Sequence, residues 1–184
     1  MGLKKNIVNW LGVFVLAMLA CAANAQSKEY QIKAAFLYNF AQFVDWPSAA
    51  FANTNAPFNI GILGDDPFDG SLDATIQDET INGHKIVAIR SQRIEDLKNC
   101  QIIFVCKSEK KRIAEILTEL DSKPILTVSE IDGFAQRGGN INFFLAGTKV
   151  RFEINPGAAQ SDGLKISSQL LSLGKIVQSG GGDK

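Results

Sequence analysis

Between Tyr30 and Trp46 the chain places six of its sixteen aromatic side chains within seventeen residues: Tyr30, Phe36, Tyr38, Phe40, Phe43 and Trp46. Ile32, Phe36, Phe40 and Phe43 recur at i, i+4, i+8 and i+11, so the spacing predicts a helix over residues 28–45 with these four as its stripe. Tyr30, Leu37, Tyr38 and Val44 add apolar bulk on its other faces. Pro47 stops it, because the residue before a proline avoids the α region. A helix that is apolar all round must be covered on more than one side. Either it packs under a sheet and the chain's own tail, or one face meets a partner.

What precedes the helix reads as a segment that is removed. Lys4 and Lys5 put two cations at the start, and Trp10 to Ala23 is an uncharged, mostly apolar run of 14 residues. Ala23-Asn24-Ala25 closes it with a small-residue cleavage signal. Together they describe a secretory signal peptide over residues 1–25, cut between Ala25 and Gln26. A membrane-spanning helix would need about 20 apolar residues. Met18-Leu19-Ala20-Cys21 also resembles a lipobox, with Met where Leu is usual, so lipidation at Cys21 is the alternative. A multiply acylated cysteine would anchor the protein stably to a membrane. Export points to a bacterial periplasm, away from DNA and ATP pools.

Removing residues 1–25 leaves 159, which fits one domain, with residues 26–178 as its body and 179–184 as a flexible, glycine-rich tail. Lys4 and Lys5 leave with the signal, so the mature chain carries 17 basic against 19 acidic residues. With no basic patch expected, nucleic acid is not an expected partner. The mature cysteines are Cys100 and Cys106, at the two ends of one apolar run that reads as a buried strand. Six strand steps separate them by roughly 20 Å, whereas a disulfide needs Cα atoms closer than about 7 Å. They cannot pair with each other within one chain. Buried thiols are the simplest outcome, and an exposed one could bridge two chains.

The rest alternates between strand and helix. Phe58 to Gly64 reads as a strand, and Asp66-Pro67 offers an N-cap and an N1 proline for a helix reaching Gln77. Asn82-Gly83 marks a turn before a second strand, His84 to Arg90, and Ile94 to Leu97 fits one helical turn. Cys100 to Cys106 is the third strand. Ser108 would cap a helix with Ile113, Ile116, Leu117 and Leu120 as its stripe, and Pro124 to Val128 is the fourth strand. Asn140 to Leu145 and Lys149 to Asn155 then form an antiparallel hairpin. If Leu145 pairs with Val150, Phe143 faces Phe152 and Ile141 faces Ile154, while the other face sets Phe144 against Arg151 and Asn142 against Glu153. Asn155-Pro156-Gly157 turns the chain, and a closing helix follows near Lys165–Val177 on Ile166, Leu170, Leu173 and Val177. The pattern is α/β: a single domain with a mixed β-sheet flanked by helices, ending in an antiparallel hairpin and a closing helix.

Catalytic motifs are not found. Gly61 and Gly64 lie in a strand, and no G-x-G-x-x-G opens a helix. P-loop, H-E-x-x-H and G-x-S-x-G patterns are missing. His84 is the only histidine, which rules out a zinc site with several His ligands; beside a turn, it reads as solvated. Asp65, Asp66, Asp69, Asp73 and Asp78 form an acidic stretch, but Pro67 occupies the third position of a would-be EF-hand loop. Capping and a solvated face explain these aspartates. No catalytic residue, metal or cofactor is expected.

Four ordered segments resemble the YfiR family of periplasmic regulators. They are Tyr30 to Pro47; Gly61-Ile62-Leu63-Gly64-Asp65-Asp66-Pro67-Phe68; Cys100 to Val105 leading to Ile125 to Ser129; and Gly133-Phe134 followed by Gly138 to Phe143, Val150 to Asn155 and Leu164 to Leu171. The resemblance covers almost the whole mature chain. It implies a non-enzymatic domain that binds the periplasmic sensor domain of an inner-membrane diguanylate cyclase and holds it inactive. It also implies a homodimer and an outer-membrane lipoprotein that sequesters the repressor. Cys100 matches a family cysteine, but the usual upstream partner is missing. Phe144 beside Arg151, with Asn142 and Glu153 on the same face, is the candidate contact, since aromatic and arginine side chains anchor interfaces; the closing helix could instead cover that face. A periplasmic small-molecule sensor is the alternative, with its ligand at the strand ends near Gly64-Asp65-Asp66. A hydrolase built around His84 is a third class.

Overall fold

The computed structural model describes residues 26–180. The signal segment with Cys21 and Ala25, and residues 181–184, lie outside the described residues. Helix α1 occupies 26–43 and buries Tyr30, Lys33, Ala34, Leu37, Phe40 and Ala41, with Val44 just beyond. These positions share one helical face. It is not the expected stripe: Ile32 is 39% exposed, and Phe36 and Phe43 are half-buried. Ala34 and Ala41 bring the helix backbone close to the sheet, and a pattern built on large side chains overlooks them. The helix also ends earlier than expected, because β1 (Val44–Asp45) leaves it to pair antiparallel with Lys165–Ile166.

The main sheet is built from β2 (Phe58–Leu63), β3 (Thr80–Ile81), β4 (His84–Ser91), β5 (Ile102–Val105), β6 (Leu126–Ser129), β7 (Ile141–Ala146) and β8 (Lys149–Ile154). Strand β9 (Lys165–Ile166) belongs to the small sheet with β1, and β10 (Lys175–Ile176) closes one edge of the main sheet. Across that sheet the order is β10-β8-β7-β6-β5-β2-β4-β3. The run β4-β2-β5-β6-β7 is parallel throughout. Renumbered among themselves, these five strands follow the doubly wound 2-1-3-4-5 order of flavodoxin-like sheets. Strands β5 and β6 are buried at every position, as central parallel strands are. The β7–β8 hairpin has the register read from the sequence, Phe143 opposite Phe152 and Phe144 opposite Arg151.

Two cores lie on the two faces. Ile60, Ile62, Phe104 and Val128 pack with α1 and with Leu72 and Ile76 of α2 (Ser71–Ile76). Leu63, Ile103 and Val105 pack with Ile113, Ile116 and Leu120 of α3 (Ile113–Leu120). Both helices start later than their expected caps. The Asp66 carboxylate accepts from Phe68 N at 2.8 Å and makes a turn, so α2 begins only after Gly70, at φ 78°. Ser108 caps nothing: a 3-10 segment, Lys107–Arg112, precedes α3, and the Ser108 hydroxyl accepts from Asp65 N at 3.0 Å.

The closing helix is broken. Asn155-Pro156 does more than turn the chain: Asn155 Oδ1 accepts from Ala158 N and caps α4 (Pro156–Ser161). Helix α5 (Ser168–Leu173) buries Leu170 but leaves Leu173 61% exposed. At Gly174 the backbone passes so close to β8 that a Cβ would lie 2.7 Å from Ile154 and 2.8 Å from Phe152. The chain then joins β8 as the parallel strand β10. Edge pairing replaces the last helical turns.

Cys100 lies outside β5, in the α3-side core, whereas Cys106 lies in the α1-side core. Both thiols are free and buried. Burial pushes the Cys100 thiol up to about 12. Burial, reinforced by the charge of Asp66, also raises Cys106. Because only the thiolate attacks, thiol reagents at pH 8 should leave both residues unlabelled in the native protein and label both in denaturant. Rapid native labelling of either would contradict their burial.

Candidate functional site

In a sheet of this order, ligands enter at the carboxyl ends of the strands where the winding reverses, between β2 and β5. Here the chain fills that crevice itself. Gly64 has φ 97°, and a Cβ on it would lie 2.3 Å from Ser108 Oγ and 2.9 Å from Glu109 Oε1. Phe68 stands edge-on to Tyr30 at 5.6 Å and to Phe104 at 4.9 Å. Glu109 is buried and accepts from Arg112 at 3.1 Å. The neighbouring aspartates are held by Arg90, whose Nε donates to Asp66 at 2.6 Å and whose terminal nitrogens reach Asp73. His84 is not simply solvated: it stacks on Phe51 at 4.4 Å, and its Nδ1 lies 2.6 Å from Ala56 O.

Beside the filled crevice, the first turns of α1 are pinned to the end of β6 by a buried charge network. Tyr30 donates to Glu130 Oε1 at 2.6 Å, and the Lys33 ammonium, 2% exposed, donates to both Glu29 and Glu130. Lys107 lies 3.3 Å from the second Glu130 oxygen. Burial opposes ionisation of Glu130, but the bonds from Lys33 and Tyr30 and the charge of Lys107 outweigh it and hold its carboxyl below the usual range. Burial first, then the bond to Glu130, raises the Tyr30 phenol.

The network forms one wall of a hollow of about 470 Å³, lined also by Lys110, Phe144 and Leu145. A second hollow of about 770 Å³ adjoins it, between Lys28 and Ile32 of α1 and Leu145 and Val150 of the hairpin. Ile32, Phe144 and Leu145 are 39%, 36% and 52% exposed and form an apolar rim, with Leu145 lining both hollows, Phe144 the first and Ile32 the second.

Of the four expected contact residues, the structure leaves two outward. Phe144 lines the first hollow, and Arg151, directly across the hairpin, is exposed. Asn142 is buried: its Oδ1 accepts from Phe134 N at 3.1 Å and its Nδ2 donates to Ser129 O at 3.2 Å. Glu153 is held by Lys175 at 2.8 Å and Gln136 at 2.7 Å. Partial burial opposes its ionisation, but these two bonds outweigh it and keep its carboxyl below the usual range. Helix α5 does not cover Phe144; its Leu170 joins the opposite, Phe143–Phe152 side. Sequence reasoning missed Ile32, Leu145 and the Lys33–Glu130 pair. A lysine at the spacing of a buried stripe was the available signal for the last of these.

Lys110 lines both the first hollow, where Glu29, Glu130 and Asp132 balance the lysines, and a neighbouring one that Lys111 and Arg137 also line. No helix among the described residues is long and apolar enough to cross a membrane.

A comparison with curated proteins finds no match. A protein-family model does match, over residues 30–175, from the buried tyrosine at the start of α1 to the edge strand β10. On that match, the chain belongs to the YfiR/HmsC-like family.

Proposed function

We propose that this chain is a periplasmic repressor that binds the sensor domain of an inner-membrane diguanylate cyclase and holds it inactive. The YfiR/HmsC-like family is regulatory rather than catalytic, and its context is diguanylate cyclase signalling. The supporting observation on this chain is the apolar rim of Ile32, Phe144 and Leu145, with Arg151 beside it. Large apolar side chains grouped around a hollow and bordered by cations have the composition of an interface. The close approach of Gly64 to Ser108 and Glu109 between β2 and β5 favours this reading over a small-molecule sensor with its ligand there. Export by residues 1–25, a homodimer and release by an outer-membrane lipoprotein complete the proposal.

Deletion of the gene should raise cyclic di-GMP and surface attachment. Phe144→Ala and Arg151→Ala should each relieve repression while the circular dichroism spectrum stays native. Unchanged cyclic di-GMP in the deletion would refute the diguanylate cyclase target. Full repression by both folded variants would place the contact elsewhere.

A further inference from the structure

The main sheet ends on one side in a strand that is longer than its cover. β3 flanks only the start of β4, with Thr80 opposite Lys85 and Ile81 opposite His84. On its inner side β4 pairs with β2 from Ile86 to Ser91. Among the described residues, no strand pairs with Ile86 to Ser91 on the outer side. The tail of the mature chain cannot supply one. At Gly180 it is bonded to Gln136, whose side chain reaches Glu153 of β8. Four further residues span about 14 Å, less than the roughly 24 Å across the strands from β8 to β4.

The hairpin turn fixes which backbone groups face outward. Asn82 at φ 51° and Gly83 at φ 86° form the two-residue turn between β3 and β4, which makes Ile81 and His84 a hydrogen-bonded pair. His84 therefore points its N–H and C=O outward, and by alternation so do Ile86, Ala88 and Arg90. Ser91 fits the same alternation, since its carbonyl faces the β2 side and accepts from Gly64 N at 3.0 Å. Beyond the reach of β3, Ala88 and Arg90 present two donors and two acceptors along an open edge. Such edges are normally shielded by a proline, a bulge or a free charge. β4 contains no proline and runs along β2 without a bulge. The charge at its open end, Arg90, is held by Asp66 and Asp73. Val87 beside it is 37% exposed.

We propose that β4 pairs antiparallel with β4 of a second copy, about a twofold axis at Ile89, so that two sheets become one. The proposal rests on the homodimer put forward above and does not depend on the diguanylate cyclase target. The edge itself selects the register. With Ile89 opposite Ile89 of the second copy, Ala88 stands opposite Arg90 on both sides of the axis, and the two pairs exchange four backbone hydrogen bonds. An axis at Val87 or Ala88 would press the second strand against Ile86, where the chain enters β3. An axis at Arg90 would set two arginines face to face. At Ile89 the central pair is apolar, Val87 meets Ser91, and no like charges oppose. The joined sheet carries β7, with Phe144 and Leu145, on both sides of the axis, roughly 43 Å apart across the strands. One dimer thus offers two separate rims.

Sedimentation velocity of the mature protein should show a dimer. Ala88→Pro should convert it to a monomer with a native circular dichroism spectrum, because proline removes an outward donor and spares the ladder to β2. Two cysteine variants read the register, and they decide if Ala88→Pro does not fold. Facing residues of a non-hydrogen-bonded pair have Cα atoms about 4.5 Å apart, within disulfide reach. Ile89→Cys should therefore link the two chains under mild oxidation. Val87→Cys should not, because its two copies lie four residues out of line, about 13 Å. Cys100 and Cys106 are buried and give no background. A monomeric wild type would overturn the edge pairing and the homodimer together. A dimer that survives Ala88→Pro, or that links no faster through Ile89→Cys than through Val87→Cys, would overturn the edge pairing alone and leave the homodimer to another surface.

Discussion

Replacing Lys33 with methionine should remove about 3–5 kcal/mol of folding stability, because it breaks a buried ion pair by deleting one partner. The ammonium is 2% exposed and neutralises Glu130, whose side chain is 5% exposed. Methionine fills the volume but leaves that carboxylate with only the Tyr30 hydroxyl and the exposed Lys107 ammonium at 3.3 Å. In a domain of this size the thermal midpoint should fall by roughly 10 °C. Adding Glu130→Gln should recover most of the loss, since a buried pair replaced on both sides is often neutral. The dependence on pH follows from the direction of the Glu130 shift. Its folded-state value lies below the ordinary one, so its contribution is present above about pH 4.3 and is lost as pH falls through the folded value. In the methionine variant the same carboxyl is buried without its ammonium, and protonation relieves it. The gap between wild type and variant should therefore be widest near pH 7 and narrow towards pH 4. Urea unfolding at both pH values measures it, and a loss below about 1 kcal/mol at pH 7 would mean that the network contributes little.

The parts of the fold that the sequence exposes are those where local chemistry has no rival. Val150, Phe152 and Ile154 alternate strictly with polar residues, and a one-residue slip would turn all three outward, so the hairpin register was legible. Strand β5 reads as a continuous apolar run because both of its faces are covered. Where tertiary pairing competes with a local pattern, reading fails. Val44 and Asp45 continue a helical periodicity, yet pair with β9. Residues 174–176 continue another, yet Gly174 lets the chain lie against Phe152 and add a strand. The candidate site was half legible for the same reason. Phe144 and Arg151 follow from alternation alone. Asn142 obeys the same alternation, but the loop carrying Phe134 covers its end of the hairpin and turns a surface residue into a buried bracket. Lys33 and Glu130 stand 97 residues apart, and only the parallel crossovers bring them together.

Helix α1 is where this distinction can be measured most sharply. Phe40 and Ile32 belong to the same expected stripe, eight residues apart, but the folded helix separates them. Phe40 is fully buried, stacked on Phe143 at 5.7 Å and edge-on to Phe152 at 5.1 Å. Phe40→Ala should cost about 3–5 kcal/mol, the transfer loss plus the cavity left beneath the helix. Ile32, 39% exposed and lining the larger hollow, belongs to neither buried core, and Ile32→Ala should stay within about 0.5 kcal/mol of wild type. If the apolar rim is the partner surface, the functional consequences run the other way. Ile32→Ala should weaken repression at unchanged stability, whereas any loss in Phe40→Ala should track the amount of folded protein. Denaturant unfolding together with cyclic di-GMP measurement on the two variants separates the roles. Comparable destabilisation by both would return α1 to the stripe of large side chains and remove Ile32 from the surface. A stable Ile32→Ala protein that represses fully would leave the fold as described and move the partner contact to the hairpin side of the rim.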